Sequence, residues 1–583
     1  MPNFQVYSII GPKPYWRIWI SALVFLWFPL PLIGFNSHHD GYVFTAARLT
    51  RDAMLQGGDW PFNQFGSFWV FPQALLGFFI PDKYLFVGTR YLTLAIYFFT
   101  GYLLWKLAKG IKDKEFANLS LFLFFASQPF VGVHASGFNS WPSAVAMPIV
   151  LLIGILVIGT GSRKVSLRRT RIDMFAAGAL VVALILTRVQ VGLLTLVACI
   201  FFIAIIKKLE GLLFYLSGIF SFTFFYFLYL ASNGWALDSL KDEFVFGSVY
   251  VRAGASIFQL PIPIYTLIGT ALLLLLFIFH NRFQICLKYV LQSHPRRILL
   301  SITVLAGLLT VYLVLDSRNL GLVAIISVSA RRFWMSLLFA CLLFFLFKQV
   351  RLNLRAKRMG TLQEFSLQRD NFLLLLSIAA QSQVWPLFDQ MHSWWGSVPG
   401  ILFVSKVLIS TTREFPVQYV KGRTFPMAIA TIFTVLIVQW VPQVGEIGSR
   451  QIPKTIGQIP FLPSANSLDT ELQTFFDRNL TNGERILNLC QNADVFYKQD
   501  FLVSSSRLFV YWPQMTLVPN FIDEMKNSPF DAVITCSLNE LNKVNQRDDE
   551  LKQSLIVNSL INNGSPAAEI EVLGKTWRIY RNS

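Results

Sequence analysis

The chain has 583 residues, of which 54% are hydrophobic and only 14% are charged, and its mean hydropathy is +0.52. Soluble domains carry about 25% charged residues, so the composition excludes an ordinary soluble protein. The five cysteines show no CxxC or metal-ligand spacing, which argues against a zinc module or a disulfide scaffold. We therefore expect one large membrane domain, residues 1–444, together with a smaller domain.

The positive charge is concentrated in residues 1–444, which hold 37 Lys and Arg against 16 Asp and Glu. Nucleic-acid binding and the positive-inside rule both account for such an excess, and the positions of the charges separate the two. If the apolar stretches are numbered along the chain as spans, the segments before the first span and after each even-numbered span lie on one side of the membrane. These segments hold 26 basic residues, whereas the loops on the other side hold nine. We expect a cytoplasmic N-terminus, an outer C-terminal tail and no nucleic-acid partner.

Apolar stretches near the length of a spanning helix, about 20 residues, predict about 13 transmembrane helices. They lie at 16–35, 84–106, 116–133, 142–159, 173–187, 190–206, 211–232, 263–280, 298–315, 332–348, 371–388, 398–411 and 425–442. The apolar stretch 67–80 is too short to span, and we interpret it as an interfacial or re-entrant helix on the outer side. Residues 173–206 are broken only at 187–190, which predicts a tight hairpin with Arg188 at its outer tip.

The texture of the sequence changes in the tail, where residues 464–583 predict a small C-terminal α/β extracytoplasmic domain. An amphipathic helix is predicted at 466–480, and short strands at 484–490, 531–536, 569–573 and 576–581. Cys490 and Cys536 each end a predicted strand. A disulfide between them and two buried free thiols are both consistent with this pattern. The predicted fold class is thus a polytopic α-helical membrane protein with a C-terminal α/β domain.

The first outer loop contains His38, His39 and Asp40 just beyond the first predicted span, ahead of a helical stretch at 42–56. Low-dielectric surroundings raise the pKa of a carboxylate and suit it to act as a general base. Asp ahead of a helix is also a preferred N-cap. The adjacent histidines favour a catalytic role, so we assign Asp40 and His39 as candidate catalytic residues.

Two further outer loops carry polar clusters. Asp389, His392 and Trp394 lie in a short loop between two predicted spans, where Asp389 and His392 could share a helical face. An aromatic belt at the membrane interface is the alternative interpretation. The acidic loop at 237–246 is the third cluster, and a solvated amphipathic face is the favoured interpretation of it.

Three outer arginines depart from the positive-inside bias: Arg188 at the hairpin tip, and Arg331 and Arg332 at the start of the predicted span 332–348. Arg binds phosphate in a bidentate manner, and lipid-linked phosphates lie at this depth. Snorkelling or ion pairing with a nearby carboxylate is the alternative. We assign the three as candidate phosphate ligands.

Taken together, these features resemble the GT-C glycosyltransferases, polytopic enzymes that use polyprenyl-phosphate-linked sugars. The resemblance is strongest to bacterial relatives of the protein O-mannosyltransferases and aminoarabinose transferases. It covers residues 1 to about 442 and rests on four motifs, namely His39-Asp40-Gly41, Phe62-Asn63-Gln64-Phe65-Gly66, Thr187-Arg188, and the loop containing Asp389, His392 and Trp394.

The resemblance implies that Asp40 is the catalytic carboxylate and that Gln64, Asp389, His392 and Trp394 bind substrate. Many members carry two adjacent acids where this chain has Asp40 followed by Gly41, so we expect a transferase without metal or other cofactor. The implied partners are a polyprenyl-phosphate sugar donor, a glycan, lipid or protein acceptor, and the bilayer. The implied location is the bacterial plasma membrane.

Three other functions are consistent with parts of the pattern. A lipid-linked sugar flippase or transporter would typically show internal repeats and mid-membrane charges. The sequence shows no repeat, and most charges lie near span ends, with Arg90 and Lys406 as possible exceptions. A surface-polysaccharide polymerase or ligase would instead use a lipid-pyrophosphate glycan. A membrane scaffold would leave the His and Asp clustering unexplained.

Overall fold

The fold is given by a computed structural model. The residues it describes are 20–21, 24–25, 27–28, 31, 37–57, 68–127, 141–159, 166–206, 208–237, 264–278, 320–361, 364–384, 390–413, 454–456, 459–461, 470–481, 483–489, 502–503, 530–536, 556–561, 565–572 and 575–581. Within some helices, including 37–42, 320–333 and 390–391, the description is of the backbone only.

Helices dominate residues 37–413. They are α1 Ser37–Gln56, α2 Phe71–Gly77, α3 Asp82–Ile111, α4 Lys114–Ala126, α5 Pro142–Gly159, α6 Leu167–Ile185, α7 Val189–Ile206, α8 Lys208–Ser232, α9 Ile264–Ile278, α10 Leu320–Arg358, α11 Phe365–Gln381, α12 Gln390–Ser397 and α13 Ile401–Arg413. Short 3₁₀ turns cover Phe68–Val70 and Ser382–Val384.

Five helices in the described part of the chain are long and apolar enough to cross a membrane. They are Val87–Ile111, Pro142–Gly159, Val189–Ile206, Leu209–Ser232 and Trp334–Arg358. The chain is therefore a multi-pass membrane protein. Ten predicted spans overlap described helices. Those at 298–315 and 425–442 lie outside the described residues, as does most of 16–35, so the count of 13 stays a prediction.

Capping side chains determine where two of these helices begin. The carboxylate of Asp113 accepts a hydrogen bond from the backbone N–H of Phe116 at 2.8 Å, at the start of α4. The hydroxyl of Ser166 accepts one from Arg169 N–H at 3.3 Å, at the start of α6. Asp and Ser are preferred at this position because they satisfy N–H groups that have no partner within the helix.

The hairpin between α6 and α7 forms where the sequence predicts it. The Thr187 hydroxyl donates to the carbonyl of Ala183 at 2.7 Å, and Arg188 N–H donates to Leu184 O at 2.7 Å. Gly192 allows the return helix to approach closely, because a Cβ there would lie 2.5 Å from Ile185 Cα. The hairpin is tight because the Thr187 hydroxyl bonds to its own helix and Gly192 has no side chain.

The helical part of the 67–80 segment is shorter than predicted. Its helical part is the 3₁₀ turn Phe68–Val70 followed by α2, and residues 78–80 form a turn. The backbone N–H of Phe68 donates to the carbonyl of Leu186 at 3.1 Å. This bond attaches the segment to the hairpin tip.

The core of the helical part is strongly aromatic. Trp27 packs edge-on against Phe125, with ring centroids 5.0 Å apart, and Trp394 stacks on Phe124 at 5.3 Å and 25°. Tyr97 meets Trp394 edge-on at 5.4 Å. Such pairs are worth about 0.5–1.5 kcal/mol each beyond area burial, so they fix α12 against α3 and α4.

The described residues of the tail include a helix, a short helical stretch at 556–560 and seven short strands. The helix is α14 Thr470–Asn479, and the strands are β1 Lys454–Ile456, β2 Ile459–Phe461, β3 Arg485–Asn488, β4 Leu502–Val503, β5 Ala532–Cys536, β6 Ala568–Val572 and β7 Lys575–Arg581. β1 and β2 form a hairpin, and the other described strands form a sheet in the order β4-β3-β5-β7-β6. β3 is parallel to β4 and β5, whereas β7 is antiparallel to β5 and β6.

Side chains alternate across this sheet because successive strand residues point to opposite faces. Ile486 and Ile534 pack with Phe476 of α14, whereas Leu487 and Val533 belong to a separate cluster. The described strands overlap four of the predicted segments. Cys536 is a buried free thiol in the structure, and Cys490 lies outside the described residues.

Candidate functional site

The tip of the α6–α7 hairpin holds a buried cation. Arg188 is only 6% exposed, and its Nη2 donates a hydrogen bond to the backbone carbonyl of Gln383 at 3.3 Å. Gln383 lies in the 3₁₀ turn Ser382–Val384 that follows α11. The hairpin thus contacts the loop that leads to α12, and we call this end of the helices the hairpin end.

Gln381, Gln383 and Ser393 are buried, and each has a side-chain polar atom that makes no hydrogen bond with the described residues. Within the described residues, neither amide atom of Gln381 makes a hydrogen bond, nor do Oε1 of Gln383 and Oγ of Ser393. A Cβ at Gly396 would lie 2.9 Å from Oε1 of Gln381, so α12 packs directly over this amide. An unsatisfied buried polar group costs about 1–3 kcal/mol, which makes these groups candidates for contact with a polar ligand.

Gln381 and Gln383 were not predicted from the sequence. Both lie in the predicted span 371–388, which is otherwise largely apolar. Polar residues inside a membrane span are costly and mark functional sites. The two amide side chains could therefore have predicted this site from the sequence. Ser393 lies within the predicted loop but carried no distinguishing feature of its own.

His392 is buried on α12, one turn before Gly396. Its ring lies edge-on to Trp395, with centroids 5.3 Å apart and an interplanar angle of 86°. The indole N–H of Trp395 donates to the hydroxyl of Tyr97 at 3.0 Å. The histidine ring is therefore held by an aromatic side chain that is itself hydrogen-bonded to α3.

Trp394 occupies a different environment from the one the sequence suggested. It is 1% exposed, and its indole N–H donates to the Ser127 hydroxyl at 3.2 Å. The interpretation of this residue as part of an interfacial aromatic belt is wrong, because its ring packs inside the helical core. Its part in substrate binding stays a prediction.

The helix that carries Asp40 and His39 begins earlier than predicted. α1 starts at Ser37, so Asp40 is its fourth residue and lies in the first turn rather than ahead of the helix. The N-cap interpretation of Asp40 is therefore wrong. A carboxylate in the first turn still interacts favourably with the helix dipole. The catalytic roles of Asp40 and His39 stay predictions.

Arg331 and Arg332 lie well inside a helix. α10 begins at Leu320, eleven residues before Arg331, so neither arginine stands at a helix start as the sequence suggested. The apolar residues that precede them extend the helix toward the N-terminus. Gln64, Asp389 and the acidic loop at 237–246, apart from Leu237, lie outside the described residues.

Two more buried arginines were not singled out by the sequence analysis as ligands. Arg48 on α1 is almost fully buried, with its guanidinium 5.8 Å from the Phe44 ring centroid. Arg90, near the start of α3, is fully buried. Arg48 is one of only nine basic residues in the predicted outer loops, and this rarity could have identified it from the sequence. No group of three metal-ligating side chains occurs among the residues that the structure describes.

The sequence matches no protein-family model and no curated protein. The structure is similar to the oligosaccharyltransferase AglB from Archaeoglobus fulgidus in complex with an inhibitory peptide and a dolichol-phosphate, at 12% identity and a TM-score of 0.44, over 90% of this chain and 69% of that one. It is also similar to ArnT from Cupriavidus metallidurans bound to undecaprenyl phosphate, at 11% identity and a TM-score of 0.44, over 98% of each chain. Both neighbours belong to the GT-C superfamily.

Proposed function

We propose that the chain is a GT-C-type glycosyltransferase that moves a sugar from a polyprenyl-phosphate donor to a hydroxyl of a cell-envelope glycan, lipid or protein. The hairpin end would face the outer side of the membrane, together with the tail. The distribution of basic residues in the sequence supports this orientation.

The observation that carries the proposal is the burial of Arg188 beside Gln383. With the hairpin end on the outer side, as proposed, the guanidinium of Arg188 at the start of the apolar α7 would lie at the depth of a lipid headgroup, where an anionic phosphate can meet it. The unsatisfied buried polar atoms of Gln381, Gln383 and Ser393 could give hydrogen bonds to a sugar or a phosphate. This arrangement suits a donor whose lipid lies in the bilayer and whose sugar lies at the hairpin end.

Asp40 is proposed as the general base that accepts the proton of the acceptor hydroxyl. The hydroxyl oxygen then bonds to the anomeric carbon as the bond to the lipid phosphate breaks. Arg188 stabilises the charge on the departing phosphate, with Arg331 and Arg332 as further candidates. One displacement of this kind inverts the anomeric configuration. His39 is proposed to assist the base, and Gln64, Asp389, His392 and Trp394 to bind donor or acceptor.

The proposal is tested by incubating the purified protein with a panel of synthetic polyprenyl-phosphate sugars and measuring release of lipid phosphate. Release with one donor class, abolished in an Asp40→Asn variant, is the expected result. Folded protein that releases phosphate from no donor would contradict the proposal and favour a flippase. Release only from lipid-pyrophosphate glycans would favour a polymerase or ligase.

A further inference from the structure

Three cations converge where α10, α11 and α13 meet, at the end of the helices opposite the hairpin end. The ammonium group of Lys406 on α13 donates to the carboxylate of Asp370 at 2.9 Å, and the Arg369 guanidinium donates to the same carboxylate at 3.4 Å. Lys406 is also repelled electrostatically by Arg369 and by Lys348 of α10. We call Lys348, Arg369 and Lys406 the cation cluster.

Two aromatic rings form an apolar floor under the cation cluster. The rings of Phe345 and Phe403 are buried, and their centroids lie 4.8 Å apart. The Lys348 ammonium lies 5.7 Å from the Phe345 centroid, and the Lys406 ammonium lies 5.3 Å from the Phe403 centroid. An aromatic ring attracts a cation but does not cancel its charge. The two ammonium groups are therefore held on neighbouring rings with their charges intact.

The cation cluster has more positive charge than its surroundings neutralise. Among the residues that the structure describes, Asp370 is the carboxylate in contact with it. Arg369 also donates to the neutral carbonyl of Ile111 at 3.4 Å, and its Nε is buried without a hydrogen bond to the described residues. The side chains of Arg369 and Lys406 are each 21% exposed, so water reaches them only partly. Charges this close to the bilayer core normally pair with opposite charges, so the excess positive charge calls for an anion.

The position of the cation cluster indicates where such an anion comes from. The apolar run 344–347 of a spanning helix ends at Lys348, which places the cluster where hydrocarbon meets headgroups. Phe344 is partly exposed one turn before Lys348, with its ring 5.6 Å from that of Phe345, so apolar surface continues toward the bilayer interior. α10 ends in a run of Lys and Arg, and such runs lie on the cytoplasmic side by the positive-inside rule.

We propose that the cation cluster binds the phosphate of an anionic phospholipid from the cytoplasmic leaflet. The phosphate lies against the ammonium groups of Lys348 and Lys406, and an acyl chain lies along Phe344. A phosphomonoester headgroup carries more negative charge than a phosphodiester, and it therefore matches the excess positive charge of the cluster better. The site is at the end of the helices opposite the candidate functional site, so the proposal does not depend on the transferase activity.

The test is native mass spectrometry of the full-length protein in detergent, with three lipids of identical acyl chains. Phosphatidic acid is a phosphomonoester, phosphatidylglycerol is a phosphodiester with one negative charge, and phosphatidylcholine is zwitterionic. We expect phosphatidic acid to bind most tightly and phosphatidylcholine most weakly, with about a fivefold difference for each cation that the headgroup neutralises. Equal binding of the three lipids would overturn the proposal. Displacement of phosphatidic acid by excess inorganic phosphate would show a site for free anions, and it would overturn the assignment to a lipid.

Charge variants separate this site from the general positive charge of the cytoplasmic surface. Lys348→Gln should weaken phosphatidic acid about fivefold and leave phosphatidylcholine unchanged, whereas Lys348→Arg should keep the binding. Arg168→Gln is the matched control, because Arg168 is an exposed cation at the start of α6, on the predicted cytoplasmic side. Melting temperatures without lipid check the fold of each variant, and their rise with phosphatidic acid gives a second readout. Equal losses in Lys348→Gln and Arg168→Gln, or no loss in either, would contradict the proposal.

Discussion

The guanidinium of Arg188 donates to the carbonyl of Gln383, which joins two positions 195 residues apart in the sequence. The bond links the α6–α7 hairpin to the turn after α11. It brings a cation identified from the sequence to the backbone of Gln383, a residue that was not predicted from the sequence. The same contact makes Arg188 the sharpest test of donor binding.

Replacing Arg188 by Gln should raise the KM for a polyprenyl-phosphate donor at least tenfold, because a charge-assisted contact with phosphate is worth about 1.5–3 kcal/mol. Arg171→Gln is the matched control, since Arg171 is exposed and pairs with Glu210 at 2.9 Å on the surface. Phosphate-release kinetics give both values. Unchanged donor kinetics in Arg188→Gln would remove this residue from the proposed site.

Asp40→Asn should lower turnover about 10²–10⁴-fold, the usual cost of losing a positioned base. Stability should fall by no more than about 1 kcal/mol, the contribution of a first-turn charge to the helix dipole. Asp52→Asn on the same helix is the control, because Asp52 is occupied by Arg51 at 2.7 Å. Near-normal turnover in Asp40→Asn would shift attention to Asp389 or to the acidic loop at 237–246.

The orientation of the chain can be measured by cysteine labelling. Ser393 is fully buried and unsuitable as a reporter, whereas Glu571 in β6 and Lys357 in α10 are exposed. With the native cysteines replaced, Glu571→Cys should react with an impermeant maleimide on intact cells. Lys357→Cys should react only after permeabilisation, and the reverse pattern would invert the topology.

A pair of glycines determines how closely α6 and α8 approach. A Cβ at Gly178 would overlap the carbonyl of Tyr215, and one at Gly218 would overlap the carbonyl of Phe175. Gly178→Ala should therefore destabilise the protein by about 1–3 kcal/mol through overpacking, and its melting temperature should fall. Gly110→Ala should be neutral or stabilising, because nothing lies within 4 Å of the added methyl group. Equal melting temperatures of the two variants would contradict the close crossing.

The tail should lose stability in acid through Glu484. Partial burial opposes ionisation of this carboxylate, but hydrogen bonds from Arg581 at 2.6 Å and Thr481 at 2.6 Å outweigh it and hold its pKa below the ordinary value of 4.5. A lowered pKa means that the stabilisation is fully present above pH 4.5 and is lost as the pH falls through the folded-state value.

Hydrogen exchange of the β3 and β5 amides, corrected for intrinsic rates, measures this effect. Glu484→Gln should reduce their protection at pH 7 and flatten its dependence on pH below 4.5. Glu569→Gln is the control, because its pair with Arg578 is exposed and contributes little. An unchanged pH profile in Glu484→Gln would contradict the role of this carboxylate.

Much of the helical part is determined by the sequence alone. A run of apolar residues that crosses a bilayer has no water to bond its backbone N–H and C=O groups. It therefore forms a helix, in which these groups bond to each other. The predicted helices at 84–106, 142–159 and 190–206, and the break that carries Arg188, accordingly agree closely with the structure. These features depend on composition and local hydrogen bonding, which a single sequence displays directly.

What surrounds each polar or aromatic side chain was decided only by the tertiary structure. Trp394 is of a residue type common at membrane interfaces and lies in a predicted loop, yet the packing of α12 against α3 and α4 buries it. Gln383 looks like an isolated polar residue within one span, and only the packing of the helices brings Arg188 to its backbone carbonyl. Asn353 and Asn371 exchange two hydrogen bonds although they lie on different helices, α10 and α11. Contacts between distant segments depend on how whole helices pack, which local periodicity does not encode.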